Sequence, residues 1–214
     1  MFIAHRGNDN HDYRENSEKS ILFCLEQPYL DGIECDLRLT KDKKIVLSHN
    51  LLIDFISDGS GFIYNMTLEE LLMYNFQNDK ITVLDSLLSK INTKKILLLE
   101  IKEERNGKEE DWKDALDYIL KKFSNLKIYI CSFNYDLLYK LKEIFSNVYM
   151  GLIVGNIINQ SKDISSFDFV MYHYKSLKYT HKISMVWTLN NNDDVYKYKN
   201  KVDYIITDNA YQFV

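Results

Sequence analysis

Proline is almost missing from this 214-residue chain, with Pro28 the single one, and glycine is scarce at 7. No linker, repeat or low-complexity segment interrupts the chain, so one domain over residues 1–214 is expected. Cysteine is equally thin. Cys24, Cys35 and Cys131 are odd in number and widely spaced, which argues against a disulfide framework or a zinc knuckle and for core thiols in a reducing compartment. No apolar run approaches the roughly 20 residues that cross a bilayer, and His5-Arg6 falls where a signal peptide needs its apolar region. A cytoplasmic protein without a transmembrane segment is the expectation. Basic excess is missing too. Lys+Arg 27 against Asp+Glu 31 leaves a net charge of -4 with no basic run, so nucleic acid is not an expected partner.

What the chain does have is alternation. Short β-type runs recur at 2–5, 32–36, 96–102, 127–133, 147–154, 167–173, 183–189 and 202–208. Between them lie helical patterns with start signals, the βαβα order of a parallel sheet covered on its outside. Ser17 can cap a helix carrying Ile21, Leu22 and Leu25, and Thr67 with Glu70 has capping-box spacing. Trp112, Leu116, Ile119, Leu120 and Phe123 form one apolar stripe, and Leu137, Leu138, Leu141, Ile144 and Phe145 another. The connections at 155–166 and 174–182 are too short for full helices. Together these features predict an α/β fold, a single compact (β/α)8 TIM barrel, smaller than the roughly 250 residues typical of that architecture.

The stretch IECDLRLTKDKKIVLSHN (33–50) carries the first chemical signal. Side chains alternate along a strand, so Glu34 and Asp36 face the barrel interior while Ile33, Cys35 and Leu37 face the helices. The TKDKK connection is too short for a parallel crossover. A hairpin with Leu39 pairing near Lys44 then brings His49 back toward Glu34, at the C-terminal mouth where barrel active sites lie. In ILLLEIK (96–102) the same alternation turns Glu100 and Lys102 inward. Three converging carboxylates repel one another unless a cation joins them. With no cysteine or histidine cluster, an all-oxygen set suits one divalent cation, Mg²⁺, Ca²⁺ or Mn²⁺, rather than zinc. Arg6 and Lys102 add positive charge, and the combination suits a phosphoryl oxygen, with the ion as Lewis acid and the guanidinium fork on phosphate. His5 and His49 flank this point as a candidate acid–base pair.

These residues, in this order, resemble the glycerophosphodiester phosphodiesterases, metal-dependent TIM-barrel enzymes. The resemblance rests on HRG at 5–7, EN at 15–16, E-x-D at 34–36, T-x-D at 40–42, SH at 48–49 and E-x-K at 100–102. SDGSGFIYNMTLEEL (57–71) is similar to the small insertion that follows the second strand, expected here at about 50–66. VWTLN (186–190) and YIITD (204–208) are similar to the last two strands. The resemblance implies that His5 and His49 are the acid and base, that Glu34, Asp36 and Glu100 hold the metal, and that Arg6 and Lys102 bind phosphate. Glu15 and Asn16 would shape the mouth and support the histidines. The implied substrate is a small glycerophosphodiester, cleaved to sn-glycerol 3-phosphate and an alcohol by attack of a neighbouring glycerol hydroxyl or of water. Two positions depart from the family pattern. Asn50 stands where Asp usually follows the second histidine, and Arg14 where Pro usually precedes the Glu-Asn pair.

Other residues have plainer readings. Lys102 could serve as an internal counter-ion to Glu100 alone, and Trp187 reads equally as core or as a wall for the glycerol moiety. Asp203 and Asp208 read as strand-finishing and turn-capping residues, the glycines at 59 and 61 as turn formers, and His11, His173 and His181 as residues without a role. Two functional alternatives stand beside the diesterase. One is a phospholipase D-like enzyme of the sphingomyelinase D kind, against which the insertion and the lack of an apolar docking segment both count. The other is a catalytically weak phosphate-ester-binding protein that has lost turnover through Asn50.

Overall fold

The computed structural model describes residues 1–9, 12–102, 109–155, 157–177 and 182–214. Strand β1 (Phe2–Ala4) leads through a 3-10 turn (His5–Gly7) to helix α1 (Glu18–Glu26), which Ser17 caps through its side chain on the Ser20 N–H. The hairpin of β2 (Gly32–Leu39) and β3 (Ile45–Leu47) follows, then α2 (Leu68–Met73), β4 (Thr82–Val83) and α3 (Leu84–Leu88). The rest alternates as β5 (Ile96–Ile101), α4 (Glu109–Lys122), β6 (Lys127–Ser132), α5 (Tyr135–Ile144) and β7 (Tyr149–Val154). It closes with β8 (Phe169–His173), β9 (Ile183–Trp187), α6 (Asn192–Tyr198) and β10 (Tyr204–Thr207).

Eight parallel strands close a ring in the order β1, β2, β5, β6, β7, β8, β9, β10 and back to β1. This is the (β/α)8 barrel read from the sequence, with all eight expected strands in place. Among the described residues, the connections 155–166 and 174–182 hold no α-helix, so the outer ring is thin there. The hairpin pairs Leu39 with Ile45, one residue from the expected partner. It also recruits β4 on its far edge, through Val46↔Val83. That third antiparallel strand has no sequence signal beyond the dipeptide Thr82-Val83.

Alternation sorts the strand residues into two cores. Ile33, Cys35, Leu37, Leu97 and Leu99 pack outward with Trp112, Leu116 and Leu138 of the helices. Ile3, Leu98, Cys131, Ile153 and Phe169 fill the barrel. All three cysteines are buried, and none is in a disulfide. The insertion has a small core of its own, built on Val46, Ile53, Ile63, Leu71, Phe76 and Ile81. It therefore packs as a unit well past residue 66. The Thr67–Glu70 capping box forms in full and fixes where α2 begins within it.

One contact sets how closely β2 and β5 can lie. A Cβ on Gly32 would fall 2.4 Å from the Ile96 carbonyl oxygen and 2.9 Å from the Ile96 Cβ, and strand backbone has no free rotor to move aside. Gly32→Ala is expected to cost about 1–3 kcal/mol as an overpacking substitution, lowering Tm by about 3–10 °C at this size. Thermal unfolding checks this, and an unchanged Tm would show that β5 yields without cost.

Candidate active site

The mouth is assembled from strand ends. Just after β1 the backbone turns left-handed at Arg6 (φ 55°) and Gly7 (φ 61°), which swings the Arg6 N–H onto Glu34 Oε2 at 2.8 Å. Gly7 is required by more than its angle, because a Cβ there would meet Ile21 Cγ1 at 2.5 Å. Glu34 and Asp36, each 1% exposed, and Glu100, 6% exposed, point into the barrel from β2 and β5. One oxygen of each lies within 4.8 Å of the others.

Asp36 and Glu100 are well satisfied. Asn16 Nδ2 donates to Asp36 Oδ2 at 2.7 Å, and the Asp36 N–H donates back to Asn16 Oδ1 at 2.9 Å. Lys102 Nζ lies 2.9 Å from Asp36 Oδ1 and 2.7 Å from Glu100 Oε1, so it is counter-ion to both carboxylates and not to Glu100 alone. Arg6 Nη1 donates to both Glu15 oxygens at 3.0 Å, and its Nε lies 3.6 Å from Asp36 Oδ2. The bonds of Glu15 and Asn16 thus go to Arg6 and Asp36, where support of the histidines was expected.

Glu34 is the exception. Its Oε1 is buried and has no hydrogen-bond partner. Burial first, and then repulsion from Asp36, push its carboxyl up to about 8. Glu100 is likewise raised by burial, against the pull of Lys102. Asp36 moves the other way. Burial favours its neutral form, but Lys102, His49 and Arg6 together hold it below the usual carboxylate range. A buried carboxylate oxygen without a donor, inside a cluster of three acids, fits a hard divalent cation.

The histidines occupy different settings. His5 Nδ1 lies 2.8 Å from Asp208 Oδ1. Burial lowers the His5 pKa, yet the Asp208 hydrogen bond and the charge of Glu34 outweigh it, and the net shift is upward. His49 lines a cavity of about 120 Å³ with Glu15, Asn16, Ser48 and Asn50. Burial and the cations Lys102 and Arg6 lower its pKa, against Asp36 and a side-chain hydrogen bond with Asn50. Arg38 Nη2 holds the His49 carbonyl at 2.7 Å. Trp187, at the end of β9, stands edge-on to Phe133 and His173, with ring centroids 5.7 and 5.2 Å away. Its indole Nε1 is buried without a partner.

The sequence reading missed three residues here. Asp208 is no mere turn cap, since its carboxylate is spent on His5 and on Asn190 Nδ2, the latter at 2.7 Å. Its place just past the last strand puts it at the mouth, which was the available signal. Asn190 and Arg38 carried no comparable mark. Asp203 does not finish a strand but stands just before β10, where its carboxylate accepts from the Ser184 N–H at 2.8 Å. His173 accepts from the Lys175 N–H at 3.3 Å and caps a 3-10 turn. His11 and His181 lie outside the described residues.

The profile of the Glycerophosphoryl diester phosphodiesterase family matches residues 5–211. The chain belongs to that family. Among its relatives is the glycerophosphodiester phosphodiesterase of Caldanaerobacter subterraneus, 30% identical over 166 residues, covering 72% of this chain and 66% of that protein. The Bacillus subtilis protein YhdW is 28% identical over 235 residues, covering 96% and 93%. The Thermotoga maritima glycerophosphodiester phosphodiesterase structure superposes with a TM-score of 0.78 at 25% identity, covering 99% and 96%. An Oleispira antarctica phosphodiesterase solved with the product sn-glycerol-3-phosphate shares the fold, with a TM-score of 0.84 at 22% identity, covering 99% and 94%. Family membership makes this glycerophosphodiesterase-family barrel a phosphoric diester hydrolase.

Proposed function

We propose that the protein hydrolyses small glycerophosphodiesters to sn-glycerol 3-phosphate and an alcohol, with one divalent cation held by Glu34, Asp36 and Glu100. The observation that carries this is the unpartnered Glu34 Oε1 inside the acidic cluster, with Lys102 and Arg6 on its border. When bound, such an ion acts as a Lewis acid on a phosphoryl oxygen. Lys102 and the Arg6 guanidinium attract the other phosphoryl oxygens, each with a carboxylate to fix its direction. His5 and His49 serve as the acid–base pair, taking a proton from the attacking hydroxyl and returning one to the leaving oxygen. Trp187, with an indole N–H to spare, walls the glycerol side. No helix among the described residues is long and apolar enough to cross a membrane. In this reading residues 1–214 form one catalytic domain that acts in the cytoplasm on a diffusible ester.

Asn50 does not spoil this reading. Its side chain adjoins His49 and favours the charged imidazole, so the amide can orient the ring as a carboxylate would. Purified protein incubated with glycerophosphocholine and glycerophosphoethanolamine, with and without chelator, is expected to release glycerol 3-phosphate only when a divalent ion is present. Asn50→Asp is expected to change kcat/KM by less than about tenfold, or about 1.4 kcal/mol in barrier. A wild-type protein inert on every glycerophosphodiester, with turnover restored by Asn50→Asp, would make it a binding protein instead.

A further inference from the structure

The contact between His5 and Asp208 joins residues 203 positions apart, and strand register creates it. β1 and β10 are parallel with Ala4 opposite Thr207, so the next residue of each strand, His5 and Asp208, meet at the rim. Asp208 is in turn gripped by the segment after β9. Asn190 Nδ2 donates to Asp208 Oδ2 at 2.7 Å, while Asn190 Oδ1 accepts from the Asp208 N–H at 2.9 Å and from Thr207 Oγ1 at 3.0 Å. The amide is thereby locked, and its lock leaves one carboxylate oxygen of Asp208 directed at His5 Nδ1.

We propose that Asp208, clamped by Asn190, is a positioning residue that fixes His5 in the tautomer protonated at Nδ1 and presents Nε2 to the reacting phosphate ester. A carboxylate accepts only, so the imidazole must place its proton on the nitrogen facing Asp208. The other nitrogen is then the one available for proton exchange, in a ring that cannot rotate without breaking a charge-assisted bond. The end of the barrel thus sets the working geometry of a residue at its beginning. The kinetic part of this inference rests on the acid–base reading of His5 given above, whereas the tautomer does not.

The test combines ¹⁵N NMR of the histidine ring nitrogens with steady-state kinetics on glycerophosphocholine in Mg²⁺. In the wild type, Nδ1 of His5 is expected at the protonated position. In Asp208→Ala the proton moves to Nε2, the form free imidazoles favour, and kcat falls about 10–100-fold, the usual loss on removing such a supporting partner, with KM little changed. The exchange Asp208→Asn with Asn190→Asp keeps an acceptor toward His5 and one donor–acceptor pair behind it. It is expected to restore the wild-type tautomer and to recover most of kcat. Asn190→Ala added to Asp208→Ala costs nothing further, because the two act as a unit. An unchanged His5 tautomer in Asp208→Ala overturns the clamp whatever the activity. A moved tautomer with undiminished kcat upholds the clamp and removes His5 from the acid–base pair.

Discussion

Alanine at position 5 or position 49 is expected to lower kcat by at least about 10²-fold, the scale of positioned acid–base catalysis. The two rings reach the site by independent routes. His5 comes from the end of β1 and His49 from the return limb of the hairpin, held by Arg38 through its carbonyl. Because both act in one reaction, the double substitution should lose less than the product of the single losses. Steady-state rates on glycerophosphocholine decide the matter, and near-wild-type turnover in either single variant removes that histidine from the mechanism.

Removal of the divalent ion is expected to abolish turnover, and Glu34→Gln to do nearly as much. The same substitution tests the ion by stability. Without an ion, the folded Glu34 carboxyl titrates at about 8, raised from its ordinary 4.5. Across that window the unfolded chain has already lost its proton while the folded chain keeps it. Stability of the chelated protein therefore falls as pH rises from about 4.5 to about 8. Asp36 is depressed and contributes in the opposite sense, but its window lies below its ordinary 3.8. Ion binding requires the carboxylate, so added Mg²⁺ should raise Tm more at about pH 8 than at about pH 5. Glu34→Gln should shrink that difference, leaving the part that comes from Glu100, whose carboxyl is also raised. An ion-induced Tm rise independent of pH would detach Glu34 from the ion.

Much of this was legible because the informative patterns are short in range. A period of two places Glu34 with Asp36, and Glu100 with Lys102, on the inner face, whatever else the chain does. The hairpin had to be a hairpin because five residues cannot carry a parallel crossover. Thr67 and Glu70 announce a helix start by spacing alone. What escaped was set by contacts between distant segments. Nothing near Asn16 in the chain says that its amide will bracket Asp36, or that Glu15 will turn to Arg6 and not to a histidine. The strand at Thr82–Val83 exists only because the hairpin edge offers it a partner.

The sequence by itself determined the barrel, its eight strands, the inward acids and the cations beside them, since local alternation and capping dictate these without reference to closure. Only the tertiary structure decided that Lys102 bridges two carboxylates, that Glu34 is left with an unpaired oxygen, and that Asp208 faces His5. Those outcomes depend on which strands become neighbours when the ring shuts, and β10 meets β1 only in the closed barrel.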